Sequence, residues 1–588
     1  MPQRIEAYAL LGDCRGAALV GLDGSIDWLC LPRFDSEACF AALLGTEDNG
    51  FWKIAPTAAI TGVRRAYRDG SLTLETELST AEGTIRLTDF MPVAGDGPGL
   101  VRIVSGVAGT VRVRSEIALR FNYGKTVPWV NRRDGAIEAI AGPDLVRIWP
   151  GVEAHGENLR TYSDFTIRAG ERVPFVLRWA ESYALAPPAP IDPDAALAHC
   201  DRIWTEWSDR CSAAGPYSAI VKRSLITLKA LTFAPTGGMV AAATTSLPEL
   251  AGGVRNWDYR FCWLRDSTFM LFTLLSAGYQ DEARAWRDWL LRAVAGAPEQ
   301  LQILYGIAGE RRLTEVELPW LAGYEDSRPV RIGNLASEQV QLDVYGEVIA
   351  TLYLARKSGL DGQGGWALER QLLKHLETAW REPDHGIWEV RGPKRHFVHS
   401  KVMCWVAFDR AVRSIEEWSL EGPLERWRAV RDEIHADICA NGVDPATGGF
   451  AQYYGSTEPD ASLLMLPITG FLPASDRRIV RTVLDIEKRL LSNGFVARYI
   501  THPGVDGLPA GEGAFLACSF WYVDALVLLG RHEEARAHFD RLVRLVNDVG
   551  LMAEEYDPEA RRMLGNFPQA LSHVALVHSA VNLSRAQP

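Results

Sequence analysis

Twelve stretches of helical periodicity fill the chain from about residue 217 onward. In each stretch, apolar residues recur every three or four positions, which is the spacing of one face of an α-helix. Strands would alternate with a period of two, so this part of the chain is predicted to be built from helices. The predicted helical segments are 217–232, 267–278, 281–296, 341–358, 365–381, 398–417, 422–440, 461–471, 475–492, 515–530, 533–549 and 570–586.

The connections between these segments alternate in length. Short connections such as GYQDE, LLGRHEE and GFLPASD follow the even-numbered segments, and long ones follow the odd-numbered segments. Six helical hairpins of this kind predict a closed (α/α)6 barrel whose long loops lie on one rim, where loops commonly carry function. An open α-solenoid is the alternative, but no internal repeat of fixed period supports it. The long loops are 233–266, 297–340, 382–397, 441–460, 493–514 and 550–569.

The N-terminal part of the chain has the pattern of strands. GLDGSIDWLC contains an Asp-Gly turn between two apolar runs, which predicts a β-hairpin. The stretches SLTLETELSTAEGTIRLTDF and GLVRIVSGVAGTVRVRSEIALRF alternate with period two around glycines, where we expect turns. A proline-rich stretch, APPAPIDP, then precedes the helices. We therefore predict an antiparallel β-sandwich at 1–185, a linker with a helix at 186–216, and the barrel at 217–588.

Composition and charge exclude several functions. The 588 residues have a formal net charge of -12 and no Lys/Arg run, so we expect no nucleic-acid partner. Apolar runs such as FMLFTLLSAG are shorter than the roughly 20 residues of a membrane span, so we expect no membrane partner. The nine cysteines lack CxxC and metal-ligand spacing, so we expect no disulfide framework, no metal and no other cofactor. The first residues do not resemble a signal peptide, and we expect a cytoplasmic protein.

Residues 256–266, NWDYRFCWLRD, place four aromatic and four charged side chains at the end of the first long loop. The second, third, fifth and sixth long loops also mix carboxylates, Arg and aromatic residues with glycines. This mixture suits a neutral polyhydroxylated ligand, because sugar rings stack on indole while charged groups hydrogen-bond to hydroxyls. Each motif alone is more typical of a local ion pair or of a cover over the barrel end. Their convergence on one rim favours a sugar-binding pocket.

Several of these motifs together resemble glycoside hydrolase family 15, which contains the glucoamylases and the bacterial and archaeal trehalases. The resemblance spans nearly the whole chain and includes the N-terminal LLGDCRGAALVGLDGSIDWLCLPRFDS. It implies a β-sandwich followed by an (α/α)6 barrel, in agreement with the periodicity. The motifs that carry it in the barrel are NWDYRFCWLRD, LPWLAGY, SRPVRIGN, QLDVYGEV, GIWEVRG, HSKVMCW and LGNFPQALSH.

The resemblance implies hydrolysis of α-glucosidic bonds with inversion, by two carboxyl groups about 6.5–9.5 Å apart. The family's acid follows a Trp, and this position is Glu389 after Trp388 in GIWEVRG. The family's base belongs to a SEQYD-like motif, and this position is Glu554 in AEEYD; the adjacent Glu555 is the alternative. The apolar neighbours of Glu389 are expected to raise its pKa and keep it protonated as an acid.

The resemblance also implies how the terminal glucose is held. The pair Arg265 and Asp266 matches the family's grip on its 4- and 6-hydroxyls, which makes the pocket a dead end. Arg498 matches a further pocket arginine, and Glu512 is an additional polar contact. His399 and Lys401 support the site or have a structural role at a helix start. The indoles expected as stacking platforms are Trp257, Trp263, Trp320 and Trp388.

The substrate is expected to be a small α-glucoside cleaved by water. Fungal glucoamylases have a second Glu after the acid, whereas this chain has Val390. A different contact to the leaving sugar is therefore expected, and trehalose is favoured over malto- or isomalto-oligosaccharides. A catalytically inactive sugar-binding barrel is the alternative outside the enzymes, and a phosphorylase or lyase on the same barrel is disfavoured because Glu554 would repel phosphate.

Overall fold

A computed structural model describes residues 2–93, 97–360, 364–501, 507, 509 and 511–586. The N-terminal strands are β1 (Tyr8–Gly12), β2 (Ala17–Gly21), β3 (Ser25–Cys30), β4 (Ala38–Phe40), β5 (Phe51–Pro56), β6 (Gly62–Tyr67), β7 (Leu74–Ser79), β8 (Gly83–Phe90), β9 (Gly99–Ala118), β10 (Trp129–Arg133), β11 (Ala136–Ala141), β12 (Asp144–Pro150), β13 (His155–Glu157), β14 (Arg160–Arg168) and β15 (Arg172–Glu181). All their pairings are antiparallel. The Asp-Gly hairpin is confirmed as β2 paired with β3.

The two layers of the β-sandwich share one strand, β9. Its first half pairs with β8 and β15, and its second half pairs with β5 and β14. The turn expected at the glycines of this stretch was therefore a wrong prediction. Gly109 has a φ of +70°, and the register with β8 shifts near Gly106, so the glycines bend the strand from one layer into the other.

A single helix, Pro193–Ser208, follows the proline-rich stretch. Asp192 caps it by accepting hydrogen bonds from the backbone N–H groups of Asp194 and Ala195, and Pro193 occupies the first helical position. Its apolar face packs Trp204 and Trp207 into the interior. The chain then enters the barrel.

Each of the twelve predicted helical segments contains a helix in the structure. The inner helices are buried on nearly all sides, while the outer ones bury one stripe. The outer helices are Ser218–Ala230, Gln280–Val294, Gly365–Ala379, Leu424–Asn441, Arg477–Arg489 and His532–Val543. The inner helices are Ser267–Ser276, Asp343–Lys357, Val398–Trp418, Leu466–Thr469, Leu516–Leu528 and Ala570–Arg585.

The inner helices form a closed ring. Each contacts the next along the chain, and Ala570–Arg585 closes the ring against Ser267–Ser276. Every inner helix begins at the end of a long loop, so the six long loops share one rim. The architecture is an N-terminal antiparallel β-sandwich followed by an (α/α)6 barrel.

Two helices differ from the predicted bounds by more than about three residues at one end. The segment 461–471 begins as a 3-10 turn, Ala461–Met465, and has only one α-helical turn, because Pro467 cannot donate a backbone hydrogen bond and Gly470 ends the helix with a φ of +81°. The segment 533–549 ends at Val543. Asn547 follows in a turn and donates to the backbone carbonyls of the N-terminal domain instead.

Candidate active site

A small cavity opens at the rim that carries the long loops. Its walls come from the first, second, third and fifth long loops, which places residues separated by about 250 positions in one pocket. The lining residues are Glu249, Arg255, Trp257, Tyr259, Trp263, Asn334, Ala336, Gln339, Trp388, Glu389, Arg391 and Arg498.

Glu389 lies on a strained turn within this cavity. Its φ is +49°, a left-handed conformation that is uncommon for a residue with a side chain. Its carboxylate oxygen Oε1 accepts hydrogen bonds from Trp263 Nε1 at 3.2 Å and from Arg265 Nη1 at 3.1 Å. Burial raises the pKa of Glu389, and the charge of Arg265 opposes this rise. The carboxyl is thus held in a fixed direction in a place that favours its protonated form.

Trp388 is fixed from behind by an aspartate that the sequence analysis missed. Its indole N–H lies 3.0 Å from both carboxylate oxygens of Asp460. Asp460 also accepts hydrogen bonds from Ser462 and Gln452, so it is fully engaged in a buried network. The guanidinium of Arg498 lies 5.8 Å from the centre of the Trp388 ring.

Glu554 lies against the same aromatic wall. It is 1% exposed, and its Oε2 accepts a hydrogen bond from the Asn566 backbone N–H at 3.3 Å. Its Oε1 has no hydrogen-bond partner among the described residues, and the nearby Tyr259 side chain lowers its pKa. The Tyr259 ring packs edge-on against Trp263 at 5.1 Å, and Trp263 in turn donates to Glu389. Tyr259 and Trp263 therefore connect the two candidate catalytic carboxyls. Burial, followed by the charge of Glu249, raises the pKa of Glu554 to about 8.

Glu555 faces a different environment from its neighbour. It is fully buried beside Arg498, whose Nη2 lies 3.5 Å from its carboxylate, and neither of its oxygens has a hydrogen-bond partner among the described residues. Burial raises its pKa well above the ordinary value. The pKa values of both neighbouring carboxyls are therefore raised by burial, and the choice of Glu554 as the base remains a prediction.

Arg498 is the centre of a buried charge cluster. Its Nη2 donates to Glu249 and to Glu512, both at 2.7 Å, and approaches Glu555. Arg255 lies 3.6 Å from Glu512 and 4.0 Å from Glu249. Glu249 and Arg255 were missed in the sequence analysis, although LPELAGGVR directly precedes the aromatic motif and has the same mixture of glycine and charge. Glu512 contacts Arg498 and is not among the lining residues of the cavity.

Arg265 and Asp266 lie beneath Glu389 at the inner end of the first long loop. Arg265 Nε donates to Asp266 Oδ1 at 2.8 Å, and its Nη1 donates to the carbonyl of Ile387 at 3.3 Å. The two side chains are 13% and 2% exposed, respectively. They are therefore a pre-formed ion pair in contact with the carboxyl of Glu389, and neither is among the lining residues of the cavity.

Of the two remaining predicted stacking platforms, one lines the cavity and the other does not. Trp257 lines the cavity, and the guanidinium groups of Arg331 and Arg391 lie 4.6 and 4.3 Å from its ring centre. Trp320 is not among the lining residues; its indole N–H donates to the carbonyl of Tyr123. Its role as a stacking platform remains a prediction.

His399 and Lys401 do not line this cavity. The Lys401 ammonium donates to the backbone carbonyls of Trp380 and Glu382, a structural role between helices. His399 is 2% exposed, and burial lowers its pKa to about 3, so its imidazole is neutral. It lines a separate, largely apolar cavity inside the barrel.

The sandwich supports the first long loop from outside. Arg260 Nη1 donates to the Ser36 carbonyl at 3.0 Å, and its Nη2 donates to the Tyr123 hydroxyl at 2.9 Å and to Asp258 at 2.7 Å. From the hairpin, Trp28 Nε1 donates to the Ala243 carbonyl at 2.9 Å. The hairpin contributes none of the residues that line the cavity in the described part of the chain, so it holds the loop in place and does not narrow the pocket.

An aromatic-walled cavity that contains one partly exposed carboxyl, with an arginine-aspartate ion pair and a second, buried carboxyl beside it, is the arrangement of a glycoside hydrolase. One carboxyl is held by an indole and a guanidinium, and the other by a backbone amide, so the two can act as acid and base. No group of three or more His, Cys, Asp or Glu side chains that could hold a metal occurs within residues that the structure describes.

Comparisons with known proteins agree with this class. The profile of Glycosyl hydrolases family 15 matches residues 215–581, and that of the Trehalase-like, N-terminal domain matches residues 1–176. The trehalase of Mycobacterium tuberculosis is 38% identical over 99% of this chain and 90% of its own length, and that of Thermoplasma acidophilum is 35% identical over 97% and 98%. A bacterial glucoamylase complexed with acarbose has a TM-score of 0.73 at 12% identity, covering 99% of this chain and 94% of its own. The chain belongs to glycoside hydrolase family 15.

Within the described ranges, no helix has both the length and the apolar character that a membrane crossing requires.

Proposed function

We propose that the protein hydrolyses trehalose with inversion, releasing glucose from both halves of the disaccharide. The observation that carries the reaction is that Glu389, which lines the cavity, is connected through Trp263 and Tyr259 to Glu554, which is buried behind the cavity wall. Trehalose is supported as the substrate by relatives named trehalase that match nearly the whole chain, both the barrel and the sandwich.

Glu389 acts as the general acid. Its proton passes to the glycosidic oxygen as the bond from that oxygen to the anomeric carbon breaks. A raised pKa suits this role, because the group must be protonated when the substrate arrives. Trp263 and Arg265 hold its Oε1, which leaves Oε2 to carry the proton.

Glu554 acts as the general base. It takes a proton from a water molecule whose oxygen joins the anomeric carbon from the face opposite the leaving group, so the new glucose has the β configuration. The other glucose leaves with its α configuration unchanged. The Tyr259 hydroxyl and the Asn566 amide stabilise the ionised form of Glu554, in opposition to burial and to the charge of Glu249.

Arg265, Asp266 and Arg498 hold the glucose whose bond is cleaved. The first two close the inner end of the pocket, so a sugar enters only with its non-reducing end first. Charge-assisted hydrogen bonds to the hydroxyls fix the anomeric carbon between the two carboxyls.

Proton NMR during hydrolysis tests this proposal. Purified protein is incubated with trehalose, maltose and isomaltose in separate samples, and the anomeric signals are followed before mutarotation. Equal amounts of α- and β-glucose from trehalose support it. Cleavage of maltose or isomaltose alone would assign a glucoamylase-type activity, and no cleavage of any substrate by folded protein would indicate a sugar-binding barrel.

Three glutamine variants test the assignment of the carboxyls. Glu389→Gln and Glu554→Gln are each expected to lower kcat on trehalose by roughly 10² to 10⁴. Glu555→Gln is the matched control, since it changes the adjacent carboxyl, and should retain far more activity. A Glu555→Gln variant that is inactive beside an active Glu554→Gln variant would reverse the assignment.

We further propose a cytoplasmic location. All nine cysteines are free thiols and seven of them are buried, as suits a reducing compartment. Fractionation of the source cells with marker enzymes tests this proposal, and recovery of the protein outside the cytoplasmic fraction would contradict it.

A further inference from the structure

Side-chain exposure increases in order from the Arg265–Asp266 ion pair to Arg391. Asp266 is 2% exposed, Arg265 13%, Glu389 22% and Arg391 32%. Because Glu389 protonates the bridging oxygen, the glucose that is cleaved lies on the side of it that faces this ion pair. The leaving sugar must lie on the more exposed side, where Arg391 lines the cavity.

Gln339 lines the same cavity as Arg391 and contacts the turn that carries Glu389. Its side-chain amide donates to the backbone carbonyls of Glu389 and Val390, both at 3.2 Å, and so holds the strained turn of the acid. Its Oε1 is buried, with no hydrogen-bond partner among the described residues. A buried acceptor without a partner destabilises the free protein. A ligand hydroxyl in the cavity would supply the missing donor.

The side chain of Val390 does not reach the leaving sugar. It is 2% exposed and packs into the core, so the position after the acid offers the leaving sugar no side chain. The side chain of Arg391, one residue further along the chain, lines the cavity instead. Its Nη2 donates to Glu315 at 3.1 Å, and its guanidinium lies 4.3 Å from the centre of the Trp257 ring. Its position is fixed before any sugar arrives.

We propose that Gln339 and Arg391 form the binding site for the leaving glucose. This inference rests on the proposed trehalose hydrolysis. Gln339 Oε1 accepts a hydrogen bond from one hydroxyl of that glucose, and Arg391 donates hydrogen bonds to its other hydroxyls. Neither residue touches the glucose whose bond is cleaved.

Two substrates that differ only in the leaving group test the assignment. Trehalose occupies the proposed site, whereas α-glucosyl fluoride has the same glucose but a leaving group too small to reach it. The variants are Arg391→Met, which keeps an apolar stem of similar length, Arg391→Lys, which keeps the charge, and Gln339→Met. Arg312→Met, outside the cavity, is the matched control.

For Arg391→Met we expect kcat/KM on trehalose to fall roughly ten- to hundredfold, with α-glucosyl fluoride changed by less than about threefold. Arg391→Lys should recover part of the loss. Gln339→Met should lower both values, because it also loosens the acid turn, but trehalose by at least about fivefold more. Arg312→Met should change neither, and thermal unfolding confirms that each variant is folded.

Equal losses on both substrates in the Arg391 and Gln339 variants would overturn the inference and leave the proposed function intact. Wild-type protein that hydrolyses α-glucosyl fluoride but not trehalose would overturn both. Retention of full trehalose activity in Arg391→Met and Gln339→Met would also refute the leaving-group site.

Discussion

Replacement of Glu249 by Gln is expected to shift the pH dependence of catalysis toward lower pH. The pKa of Glu554 is raised from 4.5 to about 8, and the charge of Glu249 is the second contributor after burial. Glu249 accepts a hydrogen bond from the Trp257 indole N–H, and Asn566, which donates to Glu554, also donates to the Trp257 carbonyl. A neutral Gln at 249 retains an oxygen acceptor and removes the repulsion.

The size of the effect follows from electrostatics. A pKa of about 8 in place of 4.5 corresponds to roughly 5 kcal/mol against the ionised form of Glu554. The repulsion between two like carboxylates in a partly screened buried site is on the order of 1–2 kcal/mol, which is about one pKa unit. Since a negative neighbour raises a carboxyl pKa, its removal lowers the pKa. The base of Glu249→Gln is therefore ionised over a wider range of acidic pH.

The assay is the pH profile of kcat/KM on trehalose, whose ascending limb reports the base of the free enzyme. In wild-type protein this limb should lie well above pH 4.5, and in Glu249→Gln it should move down by about one unit. Glu512→Gln is the matched control, because Glu512 binds the same Arg498 but is not a main contributor to the pKa of Glu554. An ascending limb that stays in place or moves to higher pH in Glu249→Gln would refute the reasoning.

Two further substitutions test the supports of the site. Arg260→Met leaves Asp258 buried without its guanidinium partner and should lower the free energy of unfolding by about 3–5 kcal/mol, measured by urea denaturation; a change below about 1 kcal/mol would contradict this. Trp388→Phe removes the indole donor to Asp460 and should lower kcat about tenfold, because a charge-assisted hydrogen bond that fixes the ring before Glu389 is lost; it should also lower the unfolding midpoint, because Asp460 stays buried with one donor fewer. Steady-state kinetics with circular dichroism checks it, and unaltered kcat would show that the bond does not position the acid.

The helices could be predicted from sequence because their signals are local. Helical periodicity identified all twelve barrel segments, and the Asp-Gly turn identified the hairpin of β2 and β3. The strand β9 could not be read correctly in this way. Glycines indicate a turn or a bend equally well, and which one forms depends on the partners β5, β8, β14 and β15, which are distant in sequence.

The site was predicted only where a motif carried its chemistry. Glu389 and Arg265 belong to compact aromatic motifs, and the structure brings them into contact. Glu249 and Asp460 were missed because their partners come from other loops: Glu249 meets Arg498 only when the ring of helices closes. A carboxylate in a long loop is usually solvated, and nothing in its neighbours along the chain shows that it will be buried.

The role of the sandwich follows from Arg260. This residue lies between Tyr259 and Trp263 in sequence, and its guanidinium is held by Asp258 within the loop and by Ser36 and Tyr123 of the sandwich. Tyr259 lies beside Glu554 and Trp263 donates to Glu389, so a displacement of this loop would move the two candidate catalytic carboxyls relative to each other. Because catalysis of this kind requires the two groups at a defined separation, the sandwich acts as the outer support of the catalytic geometry, although none of its described residues lines the pocket.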